Sequence, residues 1–286
     1  MGTPMLGDVV GVLEEAYPLS WAEDWDRAGL VLGERQATVR SVLLAVDPTL
    51  DVTRESIEDG HQLLVTHHPL LLRGASFLPA DDGKGAVVTA LLRAGVGLWC
   101  GHTNVDRSTL GTVGAWIRAL DLQDPRPLGG GEGGGTGALE GAGHGSARFG
   151  LGAVGTLPAP MSVAALSERI AGIVPATARG ILRTGDPGRV VRTLAVCPGA
   201  GDSFLSDAAA AGVDAYVTSD LRHHPTLEHV ESAADPLAVP ALVDVPHSAS
   251  EALWLPLAQE LLTTALPGLE VAVSARTTDP WTGRAG

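Results

Sequence analysis

The sequence predicts an α/β protein built as two related α/β domains, a pseudo-two-fold pair with a metal site between them. Three observations lead there. A strand and helix pattern occurs twice, apolar strands break into histidines and carboxylates at their C-terminal ends, and the composition suits folded cores. Val39 to Asp47 reads as a buried strand, a helical stretch follows from about Leu50, and Gln62-Leu-Leu-Val-Thr66 reads as a second strand. Val191 to Cys197 opens the same pattern, continued by a helix through Phe204–Ala211 and a strand Ala215-Tyr-Val-Thr218. The step from Arg40 to Thr66 is 26 residues, as is that from Arg192 to Thr218, which implies two βαβ-like units of one design.

Each unit is followed by an apolar strand ending in a histidine with an acidic residue four positions on, His102-Thr-Asn-Val-Asp106 and His247-Ser-Ala-Ser-Glu251. In open α/β sheets ligands collect outside the carboxyl ends of the strands, so two such ends facing each other make one shared site. Residues 127–150 are glycine-dense and lack hydrophobic periodicity. The expected boundaries are therefore a first α/β domain over 1–127, a linker over 128–150 and a second α/β domain over 151–286. The glycine-rich stretch contains a GxGxxG-like string, but no strand precedes it and no amphipathic helix follows directly, which argues against a dinucleotide fingerprint.

With 286 residues, 45% hydrophobic and 18% charged, the chain is long enough for one large or two ordinary domains. Its 19 basic and 33 acidic residues give a net charge of −14, which disfavours nucleic acid and anionic membranes as partners. Two cysteines, Cys100 and Cys197, cannot make a disulfide framework, and no basic stretch followed by an apolar one opens the chain. The longest apolar run, Val87 to Cys100, is interrupted by Arg93 and falls short of a membrane span of roughly 20 residues. A cytoplasmic location is expected. Nine histidines beside two cysteines tilt any metal site toward imidazole and carboxylate ligands, and so toward zinc, iron or manganese.

The strand Gln62–Thr66 runs into His67-His68-Pro69, and adjacent residues in extended structure point to opposite sides, so the pair can serve two ions. The plain alternative is one core histidine and one solvated one. Asp106 can bridge two cations through its two oxygens, or can cap the helix containing Gly111–Leu120. Glu251 has two readings as well. Ser248-Ala-Ser-Glu251 is a capping-box pattern, whereas a helix beginning before His247 would bring His247 and Glu251 onto one face at i,i+4 spacing. Five protein ligands exceed one tetrahedral zinc and suit two ions sharing a carboxylate, which together generate a hydrolytic nucleophile.

The cluster Thr218-Ser-Asp220-Leu-Arg-His223-His224 occupies, in the second repeat, the position of His67 and His68 in the first. It is a source of residues supporting the ligands or of an acid–base group. His102 and His224 are the candidates for proton transfer, with solvated or helix-terminal histidines as the alternative. Ser203 lacks the GxSxG frame of a nucleophile elbow, and Pro198-Gly-Ala-Gly201 reads as a tight βα turn able to approach a ligand phosphate.

These motifs together resemble the Nif-three-like dinuclear-metal proteins, often labelled GTP cyclohydrolase I type 2 homologues. The likeness runs through Trp25-Asp26-Arg-Ala-Gly29-Leu30, Leu43–Asp47, Thr66-His67-His68-Pro69-Leu70, His102–Asp106, Gly150–Gly155, Thr218-Ser-Asp220 and His247–Glu251. The resemblance implies two divalent ions per chain, held by His67, His68, Asp106, His247 and Glu251 with Glu251 bridging, and a toroidal homohexamer, a trimer of dimers. The chain departs from the family pattern at Arg27 (usually Asn), Ser219 (usually Gly) and Arg222-His223-His224-Pro225 (usually Lys-Tyr-His-Asp). These changes spare the ligands and alter the substrate wall. The expected activity is that of a dinuclear metal-dependent hydrolase using a metal-bridging hydroxide on a nucleotide-like or other small substrate, GTP among them. The alternative is a non-catalytic metal-binding ring protein with an assembly or regulatory role.

Overall fold

The computed structural model describes residues 2–129 and 141–285. In chain order its regular elements are α1 (Leu6–Ala16), β1 (Gly29–Leu32), β2 (Ser41–Ala45), α2 (Leu50–Glu58), β3 (Leu63–Thr66), α3 (Gly83–Ala94), β4 (Gly97–Cys100), α4 (Thr103–Asp106), α5 (Thr112–Ala119) and β5 (Gln123–Pro127). They continue as β6 (Ala153–Ser162), α6 (Val163–Ile173), β7 (Leu182–Arg183), β8 (Val190–Ala200), α7 (Leu205–Ala210), β9 (Ala215–Ser219), α8 (His223–Val230), β10 (Ala241–Asp244), α9 (His247–Glu251), α10 (Leu255–Ala265) and β11 (Glu270–Val273). No helix among the described residues is long and apolar enough to cross a membrane.

The chain forms two compact α/β units, each with one sheet. The first comprises Met1–Gly111, Glu140–Arg148 and Trp254–Thr278, and the second Thr112–Leu139, Phe149–Leu253 and Asp279–Gly286. These units are not continuous along the chain, unlike the spans expected at 1–127 and 151–286, because sheet pairing does not follow chain order. β11 returns from the far end of the sequence to pair in parallel with β2, while β5 pairs antiparallel with β6 in the second sheet. Residues 130–140, the centre of the expected linker, lie outside the described residues. The flanking stretch 141–148 closes on itself through the bridge Gly141–Ala147 and joins the first unit through Ser108–Arg148.

Internal similarity is plain in strand order. The first sheet runs β1-β4-β3-β2-β11 and the second, read from its β7 edge, β7-β10-β9-β8-β6-β5. In both, a run of parallel strands, β4-β3-β2-β11 in the first and β10-β9-β8 in the second, is flanked on one side by a short antiparallel edge strand. Strand alternation builds the core of the second unit on both sheet faces: Val191, Leu194 and Val196 of β8 join one apolar cluster, while Ala195 and Cys197 join another. In the first unit Leu43, Leu64 and Leu98, one from each parallel strand, share a cluster with Val52 of α2 and Leu91 of α3.

The repeat extends to a side-chain clamp at the strand entrance. Gln62 Oε1 accepts the amides of Arg40 and Ser41 at 2.8 and 3.1 Å, and Asp214 Oδ2 accepts those of Arg192 and Thr193 at 2.8 and 2.9 Å. A neutral acceptor does in one unit what a charged one does in the other. Burial pushes the Asp214 carboxyl up, but the Thr193 and Arg192 hydrogen bonds and the Arg189 charge outweigh it and hold it below its ordinary range. A depressed carboxylate contributes stability that is present above the unfolded pKa and lost as pH falls through the folded one. Asp214→Asn, which keeps an acceptor as Gln62 does, is therefore expected to cost about 1 kcal/mol near neutrality. Its urea midpoint should converge on that of the wild type below about pH 4. Parallel midpoint curves at every pH would remove Asp214 from this role.

Candidate metal centre

In the first unit the parallel registers align Ala45 with Thr66 and Thr66 with Cys100, so β2, β3 and β4 end level. Asp47, His67, His68 and His102 emerge just beyond those ends, the edge where ligands collect. The turn after β3 is fixed by the His67 and His68 amides, which donate to the Val46 carbonyl at 3.1 and 2.9 Å, and by Thr66 Oγ1, which donates to the His68 carbonyl at 3.0 Å. Asn104 fixes the turn after β4: its Oδ1 accepts the His102 amide and its Nδ2 donates to the Tyr17 carbonyl. The result is a histidine cluster. The ring of His67 lies 5.1 Å from that of His68, 5.3 Å from His102 and 5.8 Å from Trp254, and donor atoms of the three histidines lie within 4.8 Å of one another. His67 is wholly buried and His68 partly exposed.

Asp106 closes α4 and places Oδ1 3.5 Å from His67 Nε2, beside the histidine cluster. Cys100 does not join: burial pushes its thiol up to about 12, and its Sγ donates to the Arg27 carbonyl. The Arg27 guanidinium, at a position where the family pattern has Asn, is turned onto the Asp24 and Asp26 carbonyls.

The second unit offers a smaller set at the equivalent edge. α9 starts at His247, behind Pro246, and ends at Glu251. The capping-box alternative is thereby excluded, and i,i+4 spacing brings His247 Nε2 to 2.9 Å from Glu251 Oε1. Trp116 Nε1 anchors the helix by donating to the Ser250 carbonyl at 2.9 Å. Glu251 is 3% exposed. The βα turn Pro198–Gly201 comes up to this pair: Gly199 has φ +67°, and a Cβ there would lie 2.5 Å from Glu251 Oε1 and 3.3 Å from His247 Nε2. The turn read from sequence as a phosphate approach thus approaches a carboxylate and an imidazole, and only glycine fits.

One feature joins all four histidines. Nδ1 of His67 bonds the Gly101 carbonyl at 2.8 Å, that of His68 Asp47 at 2.7 Å, that of His102 Asp26 at 2.8 Å and that of His247 Asp220 at 2.7 Å. A carbonyl and ionised carboxylates have no proton to give, so each Nδ1 carries a hydrogen, and a neutral imidazole so held has its lone pair on Nε2. Carboxylate and carbonyl partners of this kind orient metal-binding imidazoles and raise their basicity. Burial works against the charge on Asp26, but hydrogen bonds from His102 and Thr103 outweigh it and hold that carboxyl well below the ordinary range. The His247 hydrogen bond does the same for Asp220, against burial. Asp220 belongs to the cluster expected from the sequence to support the ligands, whereas Asp26 and Asp47 were not singled out as site residues, although each lies within a quoted motif.

His223 and His224 are exposed at the start of α8 with their rings 5.1 Å apart, and among the described residues neither joins a donor group. His61, His144 and His229 have structural partners in Ser41, Glu15 and the Pro240 carbonyl.

Comparison with known proteins gives the family and the fold. A protein of Streptomyces coelicolor named GTP cyclohydrolase 1 type 2 homolog is 42% identical over 283 residues, covering 98% of this chain and 94% of its own length. One of the same name from Mycobacterium tuberculosis is 33% identical, covering 96% of each. The crystal structure of a Bacillus cereus protein related to NIF3 superposes with a TM-score of 0.83 at 20% identity, over 98% of this chain and 99% of that one, a likeness of fold. The profile of the Duf34/NIF3 (NGG1p interacting factor 3) family matches residues 4–280, and the chain therefore belongs to that family.

Proposed function

We propose that this protein is a divalent-metal-dependent hydrolase whose ligands, His67, His68, Asp106, His247 and Glu251, serve two ions, and whose substrate is a nucleotide-like or other small molecule. The observation that carries the reading is the shared orientation of the imidazoles, each with Nδ1 tied to an acceptor, which makes Nε2 the nitrogen that would coordinate an ion. The donor set fits a dication on its chemistry. A lone pair on His247 Nε2 facing a carboxylate oxygen at 2.9 Å is repulsive until a proton or a cation lies between them. Imidazoles with carboxylates and no thiolate suit zinc, iron or manganese. The name carried by the relatives, GTP cyclohydrolase 1 type 2 homolog, supports the hydrolytic direction and makes GTP the first compound to try.

Two ions bound there would supply Lewis acidity and lower the pKa of a coordinated water toward about 7. The protein's own part is positioning. Asp47 and Asp220 hold His68 and His247 in one tautomer, and the buried turn at Gly199 leaves room for both oxygens of Glu251. His102 is the proton-transfer residue proposed here, in preference to the exposed His224. Asp26 takes its Nδ1 hydrogen, so proton exchange is confined to Nε2, on the side of His67 and His68.

Metal content tests the reading. Inductively coupled plasma mass spectrometry on untagged protein purified without chelator is expected to give about two equivalents per chain, lost in a His67→Ala, Asp106→Ala double variant. Wild type that holds no metal, even after incubation with zinc, iron or manganese, would overturn it.

A further inference from the structure

The geometry points to a second binding pocket, in the second unit, for a small organic anion with an apolar body. A cavity of about 400 Å³ lies between α8 and the β10–β7 edge of the sheet. That volume is within the range of roughly 300–1,000 Å³ usual for small-molecule sites. The side of α8 that lines it carries His223, Thr226, Leu227 and Val230, spaced i, i+3, i+4 and i+7, the stripe a helix ordinarily packs onto its sheet. Here the stripe borders a cavity, with Leu221 and Leu242 among its apolar lining and Leu182 and Leu227 47% and 42% exposed at the rim.

The polar groups decide the ligand's charge. Arg179 is neutralised by an ion pair with the buried carboxylate of Asp244. Arg183 lines the same cavity from β7 and makes no ion pair among the described residues, so the cavity keeps a positive charge in a chain of net −14. Thr226 Oγ1 is buried and has no hydrogen-bond partner among the described residues, a hydroxyl available to a ligand oxygen. A guanidinium fork beside a hydroxyl matches a carboxylate or a phosphate, and the leucine and valine wall matches an aromatic or aliphatic body. None of these residues belongs to the proposed metal ligands, so the pocket stands independently of the hydrolase reading.

Phenyl phosphate and benzoate, titrated by calorimetry into the protein as purified, distinguish phosphate from carboxylate as the preferred anion. At least one is expected to saturate at one site per chain. Inorganic phosphate, which lacks the body, and phenol, which lacks the charge, are each expected to bind at least about tenfold more weakly. Arg183→Gln, at a solvent-exposed edge position, should weaken binding about tenfold or more, and Thr226→Val should weaken it by less without altering the cavity's shape. Binding should survive treatment with a chelator. Failure of both probes to bind would overturn the assignment. So would binding that is unchanged in Arg183→Gln and lost on chelation, which would place the anion at the metal donors.

Discussion

Glu251→Gln is expected to lower metal occupancy and any hydrolytic rate together, with the fold intact. Glutamine has nearly the volume of glutamate, and the space left by the missing Cβ of Gly199 accepts either. What changes is the donor set: one oxygen becomes an amide nitrogen that cannot coordinate, and a negative charge 2.9 Å from His247 Nε2 disappears. Loss of an outer partner of a metal ligand costs roughly 10–100-fold in metal affinity, and loss of a buried ligand oxygen should exceed that. Metal per chain after dialysis, with turnover of GTP measured on the same samples, checks the expectation. Full occupancy with unchanged turnover would remove Glu251 from the centre.

The sequence made the repeated strands and the donor residues legible for a physical reason. Val39–Asp47, Gln62–Thr66 and Ala215–Thr218 are short apolar runs bounded by polar residues; the first two contain β2 and β3, and the third falls within β9. The His247–Glu251 ambiguity was one of helix phase, since Ser248-Ala-Ser-Glu251 satisfies a capping box as readily as His247 and Glu251 satisfy i,i+4 spacing. The helix start at His247, behind Pro246, decides it.

Less legible were features that depend on distant pairing. β11 carries no local mark that it will lie beside β2, more than two hundred residues earlier in the chain, and β5, Gln-Asp-Pro-Arg-Pro, is almost entirely exposed and lacks any apolar alternation. Boundaries drawn along the chain at 127 and 151 therefore differ from the units, whose segments alternate along the sequence. The acceptors Asp26 and Asp47 escaped for a similar reason. An aspartate beyond a strand end reads equally as a cap, a turn or a ligand, and only the placement of the histidine, 21 residues away for Asp47 and 76 for Asp26, gives it a role.

Asp220→Asn is expected to weaken metal binding roughly 10–100-fold while costing the metal-free protein at most about 1 kcal/mol. Two properties of the position separate these effects. Asp220 has φ +55°, a left-handed backbone conformation that asparagine tolerates as well as aspartate, so the turn after β9 keeps its shape. Its carboxylate is about half exposed and makes its hydrogen bond to His247 at 2.7 Å, so no buried network collapses when the charge is removed. The amide oxygen can still accept the Nδ1 hydrogen, but without its negative charge the imidazole becomes a poorer donor at Nε2. Asp26→Asn makes the useful contrast, because Asp26 is buried and also accepts the Thr103 amide and hydroxyl, so its loss should lower stability as well. Competition with a chelating dye and thermal melts of the metal-free variants read the two effects apart. A metal affinity for Asp220→Asn equal to that of the wild type would show that Asp220 does not set the basicity of His247.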